Sequence, residues 1–273
     1  MPKLPFFQVD AFAARPFAGN PAAICLLESP LSVERMQEIA AENNLSETAF
    51  IDLGAGAEAD ILGLRWFTPT VEVDLCGHAT LASGFVVLTE LAPRRPAVRF
   101  QTRSGELAVA RGASAGELLM DLPISRPQPV DGAMRERLSA AARLPLRDVV
   151  RGATAYFAEV EDAATVRAAA PDLAAVAALG TSLCLTASGT GDAGGDADFV
   201  SRFFAPAHGI AEDPVTGSAH CTLAPYWGAR LGKARLRARQ VSRRVGELTC
   251  EVLSQAVRLG GRCELVLTGS FRC

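Results

Sequence analysis

Three side chains in this sequence are of the type and in the setting to move a proton: Glu47, His78 and Asp213. Glu47 lies in NLSETAFI (Asn44–Ile51), between the hydroxyls of Ser46 and Thr48 and flanked by Leu45, Ala49, Phe50 and Ile51. A free glutamate, with a pKa of about 4.3, is a weak base and a poor acid at neutral pH. Burial among those apolar neighbours is expected to raise it toward the operating pH. Ser46 and Thr48 either orient the carboxylate or cap the turn, and the plain alternative is a turn carboxylate facing water. His78 follows Gly77 at the head of an apolar helical stretch. There the helix N-terminus pushes the imidazole pKa down and favours the neutral ring; the alternative is a packed N-terminal histidine. Asp213 precedes Pro214 in a turn, where aspartate is also common for local reasons. His220 falls inside a helical pattern and reads as packing, His208 as loop, and no His/Cys/Asp spacing marks a metal site.

The same region of sequence occurs twice. RWFTPTVEVDLCGHATLA begins at Arg65 and RFFAPAHGIAEDPVTGSAHCTLA at Arg202. Each copy opens Arg-aromatic-Phe-x-Pro, and Glu72 and Glu212 each stand five residues before a glycine, Gly77 and Gly217. Two halves of similar fold follow. A strand that runs through Cys-Gly-His or Thr-Gly-Ser into a helix leaves backbone N–H groups free, and with the helix dipole these favour an anion. Glycine allows close approach. Two such turns facing one cleft would suit a small carboxylate.

The elements that must carry these groups are legible as short apolar or alternating strand segments at Phe6–Phe12, Ala23–Leu27, Ala49–Leu53, Leu62–Phe67, Val98–Thr102 and from Glu106 onward. Helical patterns cover Ser32–Asn43, with a serine cap and Met36, Ile39 and Ala40 in phase, then His78–Leu91, Asp131–Arg143, Ala163–Leu179 and Ser218–Leu231. The stretch at His78–Leu91 is apolar on every face and therefore expected to be enclosed. Pro123, Pro127 and Pro129 mark a linker. The organisation expected is an N-terminal domain over 1–122, with residues 257–273 as candidates to complete it, and a C-terminal domain over 123–256. The Arg235, Arg237, Arg239 alternation fits the wet face of a strand, and Gly189–Asp198 a hairpin loop.

Bulk properties agree with an ordinary globular protein: 273 residues, 49% hydrophobic, 21% charged, net charge −3. That balance gives no electrostatic case for nucleic acid or an anionic membrane surface. The seven cysteines are scattered without a CxxC pair, which suggests reduced thiols. No signal-peptide pattern or spanning run is seen, so a soluble cytoplasmic protein is expected.

With these residues in place, the chain resembles the phenazine-biosynthesis PhzF-like isomerase family. The matching runs are VDAFAARPFAGNPAAICLL (Val9–Leu27), NNLSETAFI (Asn43–Ile51), RWFTPTVEVDLCGHATLA, and SRFFAPAHGIAEDPVTGSAH (Ser201–His220). The resemblance implies an α+β, diaminopimelate epimerase-like fold of two pseudo-symmetric domains, each a curved, mostly antiparallel sheet or barrel around a central helix. It implies a site in the cleft between them, no cofactor, a small-molecule carboxylate substrate, and a homodimer. The family's defining activity isomerises trans-2,3-dihydro-3-hydroxyanthranilate by moving a proton along a conjugated system. The motif glutamate carries that proton, here Glu47; His78 and Asp213 assist; Ser46, Gly77, Gly217 and Ser218 contact substrate. Epimerases of this fold use two cysteines, one at each glycine turn. Here the first turn has Cys76 and the second Thr216, whose hydroxyl cannot replace a thiolate base. Two other readings stay open: an amino-acid racemase or epimerase with Cys76 as second base, and a non-catalytic metabolite-binding protein.

Overall fold

The computed structural model describes residues 3–189 and 195–272. Residues 190–194 of the expected Gly189–Asp198 hairpin loop, and Cys273, lie outside the described residues. The chain divides into two compact units, Met1–Asp121 with Gly260–Cys273, and Leu122–Leu259.

The first unit contains β1 (Lys3–Ala11), β2 (Asn20–Leu27), α1 (Val33–Asn43), β3 (Glu47–Asp52), β4 (Ile61–Phe67), β5 (Glu72–Val73), α2 (Gly77–Val86), β6 (Ala97–Thr102), β7 (Gly105–Arg111) and β8 (Leu118–Pro123). The second contains β9 (Gln128–Pro129), α3 (Gly132–Ala142), β10 (Asp148–Arg151), β11 (Ala155–Glu159), α4 (Ala163–Ala168), α5 (Leu173–Ala177), β12 (Ser182–Ser188), β13 (Phe199–Ala205), β14 (Ile210–Asp213), α6 (Gly217–Leu231), β15 (Arg235–Gln240), β16 (Gly246–Val252) and β17 (Ala256–Gly261). The last strand, β18 (Cys263–Arg272), returns to the first unit and pairs antiparallel with β1.

Strand pairing repeats in order. In the first unit β1–β2 is antiparallel, β2–β3 parallel, β3–β4 and β4–β5 antiparallel, β4–β6 parallel and β6–β7 antiparallel. In the second, β10–β11, β11–β12, β12–β13, β13–β14, β13–β15 and β15–β16 follow the same sequence of directions. Both units are therefore mixed sheets in which antiparallel pairs predominate.

The two long internal helices are buried almost all round. Small residues let the sheet come close: a Cβ added at Gly84 of α2 would lie 2.4 Å from Val109. Pro225 inside α6 has no N–H for the Cys221 carbonyl, and Ser125 N–H supplies the missing donor at 3.1 Å. Helix α1 lies on the opposite face of β3, with Met36, Ile39 and Ala40 packed on Cys25, Leu27, Phe50 and Phe67. Each such large apolar side chain contributes about 1.5–3 kcal/mol.

Two sequence expectations need correction. Ala163–Leu179 is not one helix: Pro171 separates α4 from α5, and Asp172 caps the second. The Pro123–Pro129 stretch is partly strand, with Pro123 closing β8 and Pro129 in β9. The alternating arginines do lie on β15, Arg235 and Arg237 exposed and Arg239 partly so.

Candidate active site

Period-two alternation decides what Glu47 meets. Thr48 and Phe50 point to the α1 side, where Asn43 Nδ2 donates to Thr48 Oγ1 at 3.0 Å and Phe50 joins the α1 core. Glu47, as first residue of β3, turns the other way, toward α2. Thr48 and Phe50 are thus not its neighbours, contrary to the expectation from adjacency. Glu47 meets His78 instead, Oε2 to Nε2 at 3.2 Å, with the Glu47 side chain 20% exposed and that of His78 6%.

The other edge of His78 faces Asn20, Nδ2 to Nδ1 at 3.3 Å. A tight loop delivers Asn20. Asp10 Oδ2 accepts from Phe17 N–H at 2.8 Å, and Gly19 adopts φ +64° where a Cβ would lie 2.2 Å from the Ala11 carbonyl oxygen. Only glycine fits there. Parallel register then sets Ala22 of β2 beside Glu47 of β3.

An amide NH₂ facing Nδ1 makes that nitrogen an acceptor and leaves the ring proton on Nε2, the nitrogen that lies 3.2 Å from the carboxyl group. Turning the amide over reverses both roles, so the same three side chains accommodate Glu47 as carboxylate or as acid. Burial pushes the His78 pKa down to about 3, keeping the ring neutral. A neutral imidazole can donate a hydrogen bond to the carboxylate or accept one from the acid, according to its tautomer.

Cys76 adds a third chemical type. It stands at the cap position of α2, with Sγ 3.5 Å from His78 Nδ1. Glu47, Cys76 and His78 place donor atoms within 4.8 Å of one another. Sequence spacing did not reveal this cluster because β3 and the α2 turn are separate segments.

Helices α1, α3, α4 and α5 carry side-chain caps from Ser32, Asp131, Asp162 and Asp172. Neither α2 nor α6 does, although each starts at one of the paired glycines. Their first-turn N–H groups are suited to an anionic ligand. Gly77 is buried, and Ser46 is half-buried in the bend before β3.

In the second unit, Asp213 ends β14, half-buried, with Oδ2 accepting from Thr216 Oγ1 at 2.5 Å. Gln240 fixes this turn: its Nε2 donates to the Asp213 carbonyl at 2.7 Å and its Oε1 accepts from Thr216 N–H at 2.9 Å. Gly217 opens α6, with Ser218 half-buried in its first turn. His220 is fully buried, Nδ1–H donating to the Thr216 carbonyl at 2.8 Å, and burial pushes its pKa down to about 4.

The candidate residues thus form two groups: Glu47, Ser46, Gly77 and His78 in the first unit, and Asp213, Gly217 and Ser218 in the second. Sequence reasoning missed Asn20 and Gln240. Asn20 stands in a Gly-Asn-Pro run and Gln240 closes an arginine-rich strand, and neither carries a chemical signal of its own. A cavity of about 320 Å³ beside α1, lined by Leu31, Met36, Phe50 and Arg65 among others, contains none of these side chains.

A repeated sheet order about buried helices, with uncapped glycine starts, defines the diaminopimelate epimerase-like fold. Solved structures bear this out. The Enterococcus faecalis protein described as of the PhzF family superposes with TM-score 0.89 at 40% identity over 100% of both chains. A hydroxyproline epimerase from Agrobacterium vitis shares the fold alone, at TM-score 0.57 and 9% identity over 98% of this chain and 92% of that one. The family profile described as phenazine biosynthesis-like protein matches residues 9–269. An uncharacterized isomerase of Pseudomonas aeruginosa is 47% identical over 98% of this chain and 99% of its own. The human phenazine biosynthesis-like domain-containing protein is 41% identical over 98% and 99%. The chain belongs to the phenazine biosynthesis-like (PhzF) family and is an enzyme of the isomerase class, in the broad sense that includes epimerases.

Proposed function

We propose that this protein isomerises a small, cyclic or amino-acid-derived carboxylate by moving one proton within it, with Glu47 as the group that takes and returns the proton. The observation that carries this reading is the 3.2 Å approach of Glu47 Oε2 to His78 Nε2. A partly exposed carboxyl group can reach a ligand while a buried neutral imidazole, braced by Asn20, adjusts to either protonation state. His78 holds and orients the acid/base. Asp213 assists from its Thr216-bonded turn. Ser46, Gly77, Gly217 and Ser218 contact substrate, the glycine turns offering backbone N–H groups to its carboxylate. The substrate type follows the family's trans-2,3-dihydro-3-hydroxyanthranilate, and the assembly is a homodimer.

Glu47→Gln removes the proton carrier and keeps the shape. Loss of turnover with retained ligand binding supports the role; undiminished turnover excludes it.

The 3.5 Å contact of Cys76 Sγ with His78 Nδ1 favours a second reading, an epimerase in which the thiol is a second base. Solvent deuterium at a stereocentre of inverted product, lost in Cys76→Ala, would identify it.

A further inference from the structure

We propose that Glu47, Cys76 and His78 form a binding site for a thiophilic divalent cation of the zinc class. Carboxylate, thiolate and imidazole are three of the ligand types zinc takes, and three protein ligands with water in the fourth position is an open zinc arrangement. Among the described residues, no other three His, Cys, Asp or Glu side chains bring their ligand atoms within 4.8 Å of one another.

The geometry suits a small ion. Bonds of about 2.3 Å to sulfur and 2.0–2.1 Å to nitrogen at a tetrahedral angle separate the two ligand atoms by roughly 3.6 Å, and Cys76 Sγ lies 3.5 Å from His78 Nδ1. One imidazole holds one ion through one nitrogen, so Nδ1, which faces the thiol, is the ligand. The Asn20 amide, now 3.3 Å from Nδ1, swings aside. Glu47 is the ligand that must turn, since its carboxylate presently faces Nε2; it is also the most exposed of the three. One ligand atom from each of the three residues already lies within 4.8 Å of the other two.

A metal binds these ligands in their deprotonated forms. Cys76 stands at the start of α2, where no side chain caps the first-turn N–H groups. An ion seated here occupies the lone pairs of the very groups that handle protons, so metal-loaded protein is catalytically silent and a chelator restores it. The binding claim stands apart from the isomerase mechanism and is tested without a substrate.

Cobalt(II) added to the purified, metal-free chain should give a thiolate-to-cobalt charge-transfer band that saturates at one ion per chain. Cys76→Ser should abolish the band, and Glu47→Gln should weaken affinity about tenfold or more while keeping it. In the wild-type chain, independent of any variant's folding, zinc should shift the ring-nitrogen resonances of His78 and leave those of His208 and His220 in place. No band in the wild type, a band surviving in Cys76→Ser, or a zinc shift that bypasses His78 would overturn the proposal.

Discussion

The two units share a scaffold and differ in chemistry. Each carries the same arginine fork: Arg65 Nε and Nη2 donate to Glu72 at 2.7 and 2.8 Å, and Arg202 Nε and Nη2 donate to Glu212 at 2.7 and 2.8 Å. Each arginine also stacks on the phenylalanine two residues on, Phe67 at 5.3 Å and Phe204 at 4.8 Å. Register makes the match residue by residue. Thr48 opposes Phe67 as Leu183 opposes Phe204, so Glu47 occupies the position of Ser182. Trp66 opposes Val73 as Phe203 opposes Asp213, so Asp213 occupies the position of Val73. Cys76 and Thr216 are likewise equivalent caps. A duplicated frame has kept its structural ion pair in both halves and placed one carboxyl group in each at different corners. What repeats is the ion pair, and what differs includes the two carboxyl groups on which the proposed chemistry rests.

The comparison breaks most sharply at Glu47 and Ser182. Glu47→Gln is expected to lower turnover about 10²–10⁴-fold, with the melting temperature nearly unchanged, while Ser182→Ala leaves turnover intact. Steady-state kinetics with a common substrate checks both.

The forks should be unequal in stability. Arg202 also donates through Nη1 to the Ala169 and Arg167 carbonyls that follow and end α4, at 2.7 and 3.1 Å. Glu72 keeps a second partner, Arg103 Nη2 at 2.8 Å, when Arg65 is removed. Arg202→Met should therefore cost about 3–5 kcal/mol and Arg65→Met about half that. Denaturant unfolding would sink this asymmetry by finding Arg65→Met the costlier change.

Acid should destabilise both units through their buried histidines. An unfolded imidazole takes up its proton near pH 6.5. The folded ones do so only near 3 for His78 and 4 for His220, because burial disfavours the charged form. Stability is full above pH 6.5 and falls as pH drops, by about 1.4 kcal/mol per pH unit per histidine, or roughly 2 kcal/mol each by pH 5. Unfolding free energies between pH 7 and 5 should flatten in His78→Asn and in His220→Asn by equal amounts.

The smallest effects concern packing. An added Cβ would lie 2.4 Å from Val109 at Gly84 and 2.2 Å from Val215 at Gly246. Alanine at either should cost about 1–2 kcal/mol, overpacking outweighing any gain in propensity. Thermal melts showing either variant more stable than wild type would contradict this.

Much of the frame was legible. The Arg-x-Phe and Glu-to-Gly spacings of Arg65–Gly77 and Arg202–Gly217 reflect the fork and the helix start that follows it, both local in sequence. The Ser32 cap and the α1 face were readable for the same reason. The Ala163–Leu179 error came from weighting alanine propensity above Pro171. At the site, the types of Glu47 and His78 were legible but not their pairing, which depends on β3 and α2 meeting in space. Asn20 was hidden because its role rests on β2 and α2 meeting in space, which no local spacing shows. Thr48 and Phe50 were assigned to Glu47 by adjacency, and strand alternation sends them to the other face.

The central claim, that the carboxyl group of Glu47 carries the proton, is tested most directly by solvent-deuterium incorporation. Trans-2,3-dihydro-3-hydroxyanthranilate and a panel of cyclic and amino-acid-derived carboxylates would be incubated in D₂O with wild type, Glu47→Gln and Asp213→Asn. The account predicts deuterated, rearranged product from the wild type, a reduced yield from Asp213→Asn, and none from Glu47→Gln. Equal label from wild type and Glu47→Gln would contradict it.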